Sequence, residues 1–220
     1  MYLNEEVKQE GMVRNIGNFT RFLEAASLSH GQILNVTNVA QDCRVSRKTV
    51  ESYFFIVKDL LIGDTIDVFT KRAKRAMAAH PKFYFFDCGV FRSLRPKGPL
   101  DIPEEIGGVG LESLVYQHLR AWIDYSEIDA KIYYWRTQAG NEVDFVIYGE
   151  SVFYAIEVKV GSAVKSQHLR GLKTFSADYP ASKAYVLYMG ENRQLIDTIL
   201  CVPCTEFLQA LIPGRKFPFA

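Results

Sequence analysis

The stretch that most constrains this chain runs from Gly140 to Lys159 and reads G-N-E-V-D-F-V-I-Y-G-E-S-V-F-Y-A-I-E-V-K. Two runs rich in Val, Ile, Phe and Tyr flank a Gly149-Glu150-Ser151 turn signal, which predicts an antiparallel β-hairpin. With Tyr148 facing Phe153 across the turn, Asp144 falls opposite Glu157 and Glu142 opposite Lys159. Directly opposed residues share a face, with Cβ atoms about 5 Å apart. One face then carries Glu142, Asp144, Glu157 and Lys159, and the other carries Val143, Phe145, Ile147, Tyr154, Ile156 and Val158. Carboxylates and an ammonium are gathered at one spot.

The sequence on either side gives the hairpin a setting. Leu111, Leu114, Val115, His118, Leu119 and Trp122 make the inward stripe of a preceding helix, with Glu112 at its edge. Lys131 to Thr137 reads as a strand and Gly140-Asn141 as a turn. Ser166 to Phe175 reads as a helix and Ala184 to Met189 as a fourth strand, placed parallel to the third by a right-handed crossover. Ile196 to Val202 is expected as an edge strand and Thr205 to Leu211 as a closing helix.

The first half carries a different pattern. Ile16, Phe19, Phe22, Leu23 and Ala26 form one helical stripe closed by Gly31. A short helix capped by Asn35 or Thr37, a tight turn at Arg44-Val45 and a longer helix capped by Ser46 make a helix-turn-helix pattern. The longer helix has Val50, Tyr53, Phe54, Val57, Leu60 and Leu61 inward. Strands at Ile62–Phe69 and Lys82–Phe86 extend it to a winged helix, with Lys71, Arg72, Lys74 and Arg75 on the wing. Arg47 and Lys48 would open a recognition helix, and the wing cations would touch phosphates. A protein-docking module with solvated basic residues fits the same pattern, Phe55 lying on the outer face. Met1 to Glu10 reads as the end of a connecting helix. Arg92 to Gly110 is rich in Pro, Gly and charge, so the domains are expected at 1–95 and 111–220 with a linker at 96–110.

Composition excludes several classes. The 220 residues are 48% hydrophobic and 13% aromatic, enough for buried cores, and the net charge of +1 supplies no global attraction to nucleic acid or membrane. No run is long enough to span a membrane, and the start has no apolar signal-peptide core. The scattered cysteines fit free thiols in a reducing cytoplasm. Cys201 and Cys204 form a C-x-x-C, but Pro203 lies between them and no second pair completes a zinc site. The Gly107-Gly108-Val109-Gly110 run lacks the Gly-Lys-Ser/Thr of a phosphate loop. Asp87 reads as a turn or cap residue, and His118 and His168 lie on helices without ligand-spaced partners.

Asp144 and Glu157 on adjacent strands suit a hard divalent cation such as Mg²⁺ or Mn²⁺, which needs few carboxylates and keeps water and substrate oxygens as its other ligands. Lys159 could position or deprotonate an attacking water and offset charge at a phosphate. Glu112 could add a carboxylate, and Arg136 could reach a phosphate or form a structural ion pair. The alternative for the whole set is an amphipathic hairpin with a solvated charged face and a weak Glu142–Lys159 pair.

Glu112 on a helix, then Asp144, then Glu157-Val158-Lys159 in an α-β-β-β-α-β order resembles the PD-(D/E)XK nuclease superfamily. The resemblance implies an α/β (α+β) restriction-endonuclease-like core and metal-dependent phosphodiester hydrolysis on DNA. Asp144, Glu157 and Glu112 would be metal ligands, with Lys159 assisting the water and Gln167 or Lys165 as further helix contributors. More of the chain is similar to the C-terminal region of predicted bacterial and archaeal AAA+ ATPases. That likeness rests on Tyr2-Leu3 with Glu5-Glu6, Val45-Ser46 with Thr49-Val50, Pro81 to Asp87, Tyr134 to Thr137, Glu142 to Phe145 and Glu157 to Lys159. In that family an ATPase module precedes the region. The likeness implies, as a second expectation, a non-catalytic accessory module that binds DNA or a protein partner such as an ATPase supplied elsewhere.

Overall fold

The computed structural model describes residues 13, 15–96, 98 and 102–219; the segment Met1 to Glu10, with Tyr2, Leu3, Glu5 and Glu6, lies outside them. The chain is a mixed α/β protein with seven α-helices and two sheets among the described residues. It divides into two compact units. The first comprises the described residues of Met1–Thr65 and His80–Asp101, the second Ile66–Ala79 and Ile102–Ala220.

In the first unit, α1 (Ile16–Leu28) buries Phe19, Phe22, Leu23 and Ala26, and Gly31 follows at φ 70°. The Asn35 side chain caps α2 (Val36–Cys43) by accepting from the Thr37 and Asn38 amides. Ser46 caps α3 (Arg47–Asp59) by accepting from the Thr49 amide. Arg44 between them takes the left-handed conformation that ends α2. Val50, Tyr53 and Val57 form the buried stripe of α3, whereas Leu61, expected inside, is 68% exposed. The helix stops at Asp59 and the chain turns through a positive φ at Leu61, which takes that side chain off the stripe. β1 (Gln32–Ile33), β2 (Gly63–Ile66) and β3 (Lys82–Phe85) form a small sheet in the order β1-β3-β2. Asp87 caps α4 (Cys88–Leu94) through the Gly89 and Val90 amides.

The second unit is built on a six-stranded sheet in the order β4-β5-β6-β7-β9-β8. Its strands are β4 (Ala130–Arg136), β5 (Glu142–Gly149), β6 (Phe153–Lys159), β7 (Lys183–Tyr188), β8 (Gln194–Ile196) and β9 (Ile199–Pro203). β4, β5 and β6 meander antiparallel, and β7 joins β6 in parallel after a crossover. The expected last strand is present but internal: β9 pairs in parallel with β7, and the short β8 takes the edge. α5 (Pro103–Tyr125) packs on β4 and β6, with Tyr116 stacked on Phe145 at 5.9 Å. A 3₁₀ turn (Ser166–Leu169) leads into α6 (Arg170–Asp178), which buries Leu172 and Phe175 against Val146, Ala155, Ala184 and Val186. α7 (Cys204–Ala210) follows β9 and packs on it and β7.

Two sequence boundaries move. The expected linker at 96–110 contains the start of α5, which begins at Pro103 and runs through Gly107, Gly108 and Gly110. The segment expected as a wing belongs, from Ile66 to Ala79, to the second unit. Its backbone bonds to edge strand β4: Phe69 N–H donates to Tyr134 O at 2.7 Å, Tyr134 N–H to Asp67 O at 3.1 Å, and Ala78 N–H to Arg136 O at 2.9 Å. Phe69 is buried among Tyr133, Tyr148, Phe153, Phe175 and Tyr179. Covering an edge strand satisfies its outward amides and carbonyls, and burying a Phe adds about 2 kcal/mol of apolar stabilisation. Those two gains outweigh what a free-standing basic hairpin offers.

Candidate functional site

The predicted hairpin register holds where the turn sets it: Tyr148 pairs with Phe153, Ile147 with Tyr154, Val146 with Ala155 and Phe145 with Ile156. The β5–β6 ladder then stops one residue short of Asp144 and Glu157. The reason lies on the other side of β5. Between Tyr133↔Val146 and Trp135↔Val143, β5 advances one residue further than β4, a bulge spanning Asp144 and Phe145. The bulge breaks the alternation, so that Val143 and Val146 both join the cluster under α6. It also turns the Asp144 carboxylate toward β6, where Oδ2 accepts the Val158 amide at 2.8 Å. A side-chain oxygen thus completes the ladder that the strand's own carbonyl leaves unmade.

This places two buried carboxylates together with an ammonium whose side chain is 30% exposed. Asp144 is 7% and Glu157 8% exposed. Lys159 Nζ lies 2.6 Å from Glu157 Oε1 and 4.0 Å from Asp144 Oδ2. Glu157 Oε2 is buried and has no hydrogen-bond partner among the described residues. Burial, followed by the neighbouring Asp144 charge, pushes the Glu157 carboxyl up to about 8 against the opposing pull of Lys159. Burial alone would lower the Lys159 ammonium, but Asp144, Glu157 and Glu112 together hold it above the ordinary lysine range. Lys159 is therefore a proton-bearing cation here. That favours a donor and charge-stabilising role over deprotonation of a water.

The remaining candidates separate. Glu112 on α5 is close enough to Lys159 to act on its charge. Glu142, expected opposite Lys159, instead takes the Arg136 guanidinium at 3.0 Å, since Arg136↔Glu142 is a β4–β5 register pair. Arg136 thereby has a structural ion-pair partner. Gln167 and Lys165 lie exposed around the 3₁₀ turn. His168 closes that turn by accepting the Lys165 amide on Nδ1 at 3.2 Å; desolvation, then Lys159 and Lys165, lowers its pKa. Its proximity to Lys159 had no sequence signal. Gly171 fixes the approach of α6, because a Cβ there would lie 1.8 Å from the Glu142 carbonyl oxygen.

The candidate DNA contacts fall on both units. Arg47 and Lys48 are exposed at the start of α3, Arg47 paired with Glu51 at 2.9 Å. In the second unit Arg75 clasps Asp178 through Nε at 2.5 Å and Nη2 at 3.0 Å, and Lys71 sits over the Tyr148 ring at 4.7 Å. Arg72 and Lys74 are exposed beside them. Arg75 thus anchors the Ile66–Ala79 segment, and Lys71, Arg72 and Lys74 are the cations it presents.

Fitness for a metal rests on the donor set. Glu157 Oε2 is an unsatisfied buried acceptor beside a second carboxylate, the arrangement a hard cation would complete. Among the described residues no three His, Cys, Asp or Glu side chains converge on one point, and Lys159 bridges the two carboxylates. Cys201 lies in the middle of β9 and Cys204 opens α7, so only the second cysteine sits where a redox pair would open its helix. Burial raises both thiols, Cys204 to about 11, so neither is a reactive thiolate. All four cysteines are free. No helix among the described residues is long and apolar enough to cross a membrane.

Each half of the chain matches a family model. Residues 108–207 match the family described as Domain of unknown function (DUF4143), and residues 1–101 match Domain of unknown function (DUF8612). The chain is also similar to Uncharacterized protein Rv2008c of Mycobacterium tuberculosis and Uncharacterized protein Mb2031c of Mycobacterium bovis, each 23% identical over 215 residues. These alignments cover 94% of this chain and 46% of each relative, so the chain spans about half the length of the curated relatives it matches. No solved structure matches.

Proposed function

We propose that the second unit is a PD-(D/E)XK-like nuclease domain that binds Mg²⁺ or Mn²⁺ and hydrolyses phosphodiester bonds in DNA. One observation carries this reading: the buried carboxylates of Asp144 and Glu157 share Lys159, with Glu157 Oε2 left without a partner. Asp144 and Glu157 would hold the cation, with Glu112 as the nearby third carboxylate. When bound, the metal would polarise the phosphoryl oxygen and orient the attacking water. Lys159, held as an ammonium, donates to the water or to a non-bridging phosphate oxygen and offsets the charge that develops there. The bulge at Asp144 and the close approach of α6 at Gly171 fix these groups before substrate arrives. Exposed cations on the first unit's α3, Arg47 and Lys48, and on the Ile66–Ala79 segment, Lys71, Arg72 and Lys74, would hold the DNA backbone, α2 and α3 acting as a helix-turn-helix. The four free thiols suit a reducing cytoplasm.

Incubation of the purified protein with Mg²⁺ or Mn²⁺ and DNA of varied structure, beside Asp144→Ala, tests this. Cleavage by the parent and at least about 100-fold less by the variant is expected. Equal cleavage by both contradicts the assignment.

A second reading is favoured by the 2.6 Å Lys159–Glu157 contact, which already gives the niche a cation. The chain is then a non-catalytic accessory module of an AAA+ ATPase, binding DNA or a protein through the exposed α3 face of Arg47, Lys48 and Phe55. Salt-dependent DNA binding that survives Asp144→Ala and falls with Arg47→Ala/Lys48→Ala, without any cleavage, selects it.

A further inference from the structure

A cavity of about 520 Å³ opens in the second unit, lined by Trp122, Ser126, Ile128, Ser151, Val152, Tyr154, Lys183 and the Gly214–Phe217 segment. It lies away from the carboxylates. Tyr154 and Lys183 are a register pair where β6 and β7 begin, whereas Glu157 and Lys159 pair with Val186 and Tyr188 where the strands end. Five residues separate Tyr154 from Lys159, roughly 16 Å of strand. The size falls within the range of small-ligand pockets, about 300–1,000 Å³.

The lining has a one-sided chemistry. It includes three cations, Lys183, Arg215 and Lys216, and no acidic residue. Among the described residues none of the three is ion-paired with a carboxylate. Like charges gathered without counter-ions are unfavourable in the empty state, and an anion relieves that. The lining also includes the apolar or aromatic side chains of Ile128, Val152, Tyr154 and Phe217.

The wall that carries two of the cations is fixed. Trp122 Nε1–H donates to Arg215 O at 3.2 Å, and Gly214 N–H donates to Ser126 Oγ at 2.8 Å. Phe217 is 4% exposed and stacks on Tyr154 at 4.0 Å and 12°, with Trp122, Tyr185 and Phe207 around it. Arg215 and Lys216 are thus held between two anchors with exposed side chains. Fixing the backbone that carries the cations reduces part of the ordering cost of capturing an anion.

We infer that this cavity is a binding site for a nucleotide phosphate, taking the phosphate on Lys183, Arg215 and Lys216 and the nucleoside against Ile128, Val152 and Tyr154. Two sources present that chemistry, a free nucleotide and the phosphorylated end of a nucleic-acid strand. The site is independent of the proposed metal centre.

Calorimetric titration in EDTA tests it with adenosine monophosphate, adenosine, inorganic phosphate, a terminally phosphorylated oligonucleotide and its unphosphorylated counterpart. Saturable binding of adenosine monophosphate, weaker binding of phosphate and none of adenosine is expected if free nucleotides are the source. Binding of the phosphorylated oligonucleotide at least about tenfold tighter than its counterpart identifies a strand end. Lys183→Ala and Lys216→Ala, both at exposed positions, should each weaken binding about tenfold. Either of three results overturns the inference: no saturable binding of any phosphate ester, affinities unaltered in the Lys183→Ala/Lys216→Ala protein, or tighter binding of a Glu-rich peptide than of either phosphate ester.

Discussion

Each unit buries an ionisable side chain, and the two resolve the cost in opposite ways. In the first unit His30 is 2% exposed and accepts the Phe85 amide on Nδ1 at 2.9 Å. Its ring stacks on Phe91 at 4.2 Å and lies 5.8 Å from that of Phe85. Burial, with Arg95 adding to it, lowers its pKa to about 3, so the ring is neutral and serves as packing with one hydrogen bond. In the second unit Glu157 gains an ammonium partner and still has one oxygen unsatisfied. A histidine can shed its charge and become part of a core. Two carboxylates around one lysine favour protonation of one of them, Glu157; each centre keeps one buried atom without a partner, His30 Nε2 and Glu157 Oε2, and what differs is the charge gathered around it.

The largest effect that could break this contrast is at His30. His30→Ala removes a stacked ring and strands the Phe85 amide, so the first unit should lose about 3–5 kcal/mol, read as faster hydrogen exchange at Phe85. Unchanged exchange would mean that His30 is not the keystone described.

Next comes pH, where the two centres should respond with opposite sign. His30 has a folded pKa below its ordinary 6.5, so its stabilisation is present above that pH and is lost as pH falls toward about 3. Glu157 has a folded pKa raised from 4.5 to about 8, so its contribution to the stability of the second unit is fully present below 4.5 and is lost as pH rises through about 8. In EDTA, Glu157→Gln should flatten that decline and leave the variant more stable at high pH by on the order of a few kcal/mol. Denaturation profiles of the parent and variant across this range check it.

Gly171→Ala sharpens the claim that the carboxylate niche is held rigidly. Its new Cβ meets backbone, so α6 must shift, at about 1–3 kcal/mol, and the proposed cleavage should fall with it. The smallest effects concern the surface cations. Changing Lys71, Arg72 and Lys74 to Ala should lower DNA affinity and reduce the salt slope by about 3 if the second unit holds the backbone, and Arg47→Ala/Lys48→Ala by about 2 if the first does. Salt titrations of binding distinguish the two.

Much of this was legible in the sequence. The Gly149-Glu150-Ser151 turn set the register from Tyr148↔Phe153 inward, the caps at Asn35 and Ser46 were readable from side-chain chemistry, and Asp144, Glu157 and Lys159 converge as their spacing predicts. What escaped depends on partners remote in sequence. Strict alternation cannot anticipate a bulge: it places Glu142 opposite Lys159, whereas Arg136 takes it. Gly107, Gly108 and Gly110 each cost a helix about 1 kcal/mol, which makes a linker the local choice, yet they lie within a 23-residue helix whose later turns pack on the sheet. Lys71, Arg72, Lys74 and Arg75 look like a wing until Phe69 is seen in the other unit's core. His30, between Ser29 and Gly31 at a helix end, carries no signal at all.

The proposed role of the Asp144, Glu157 and Lys159 niche is to hold a divalent cation. Titration of Mn²⁺ into the metal-free protein, followed by electron paramagnetic resonance, tests it directly. Saturable binding at one site, lost in both Asp144→Ala and Glu157→Gln, is the predicted result. No binding by the parent, or equal binding by the two variants, would contradict it and leave the trio as an ion pair between strands.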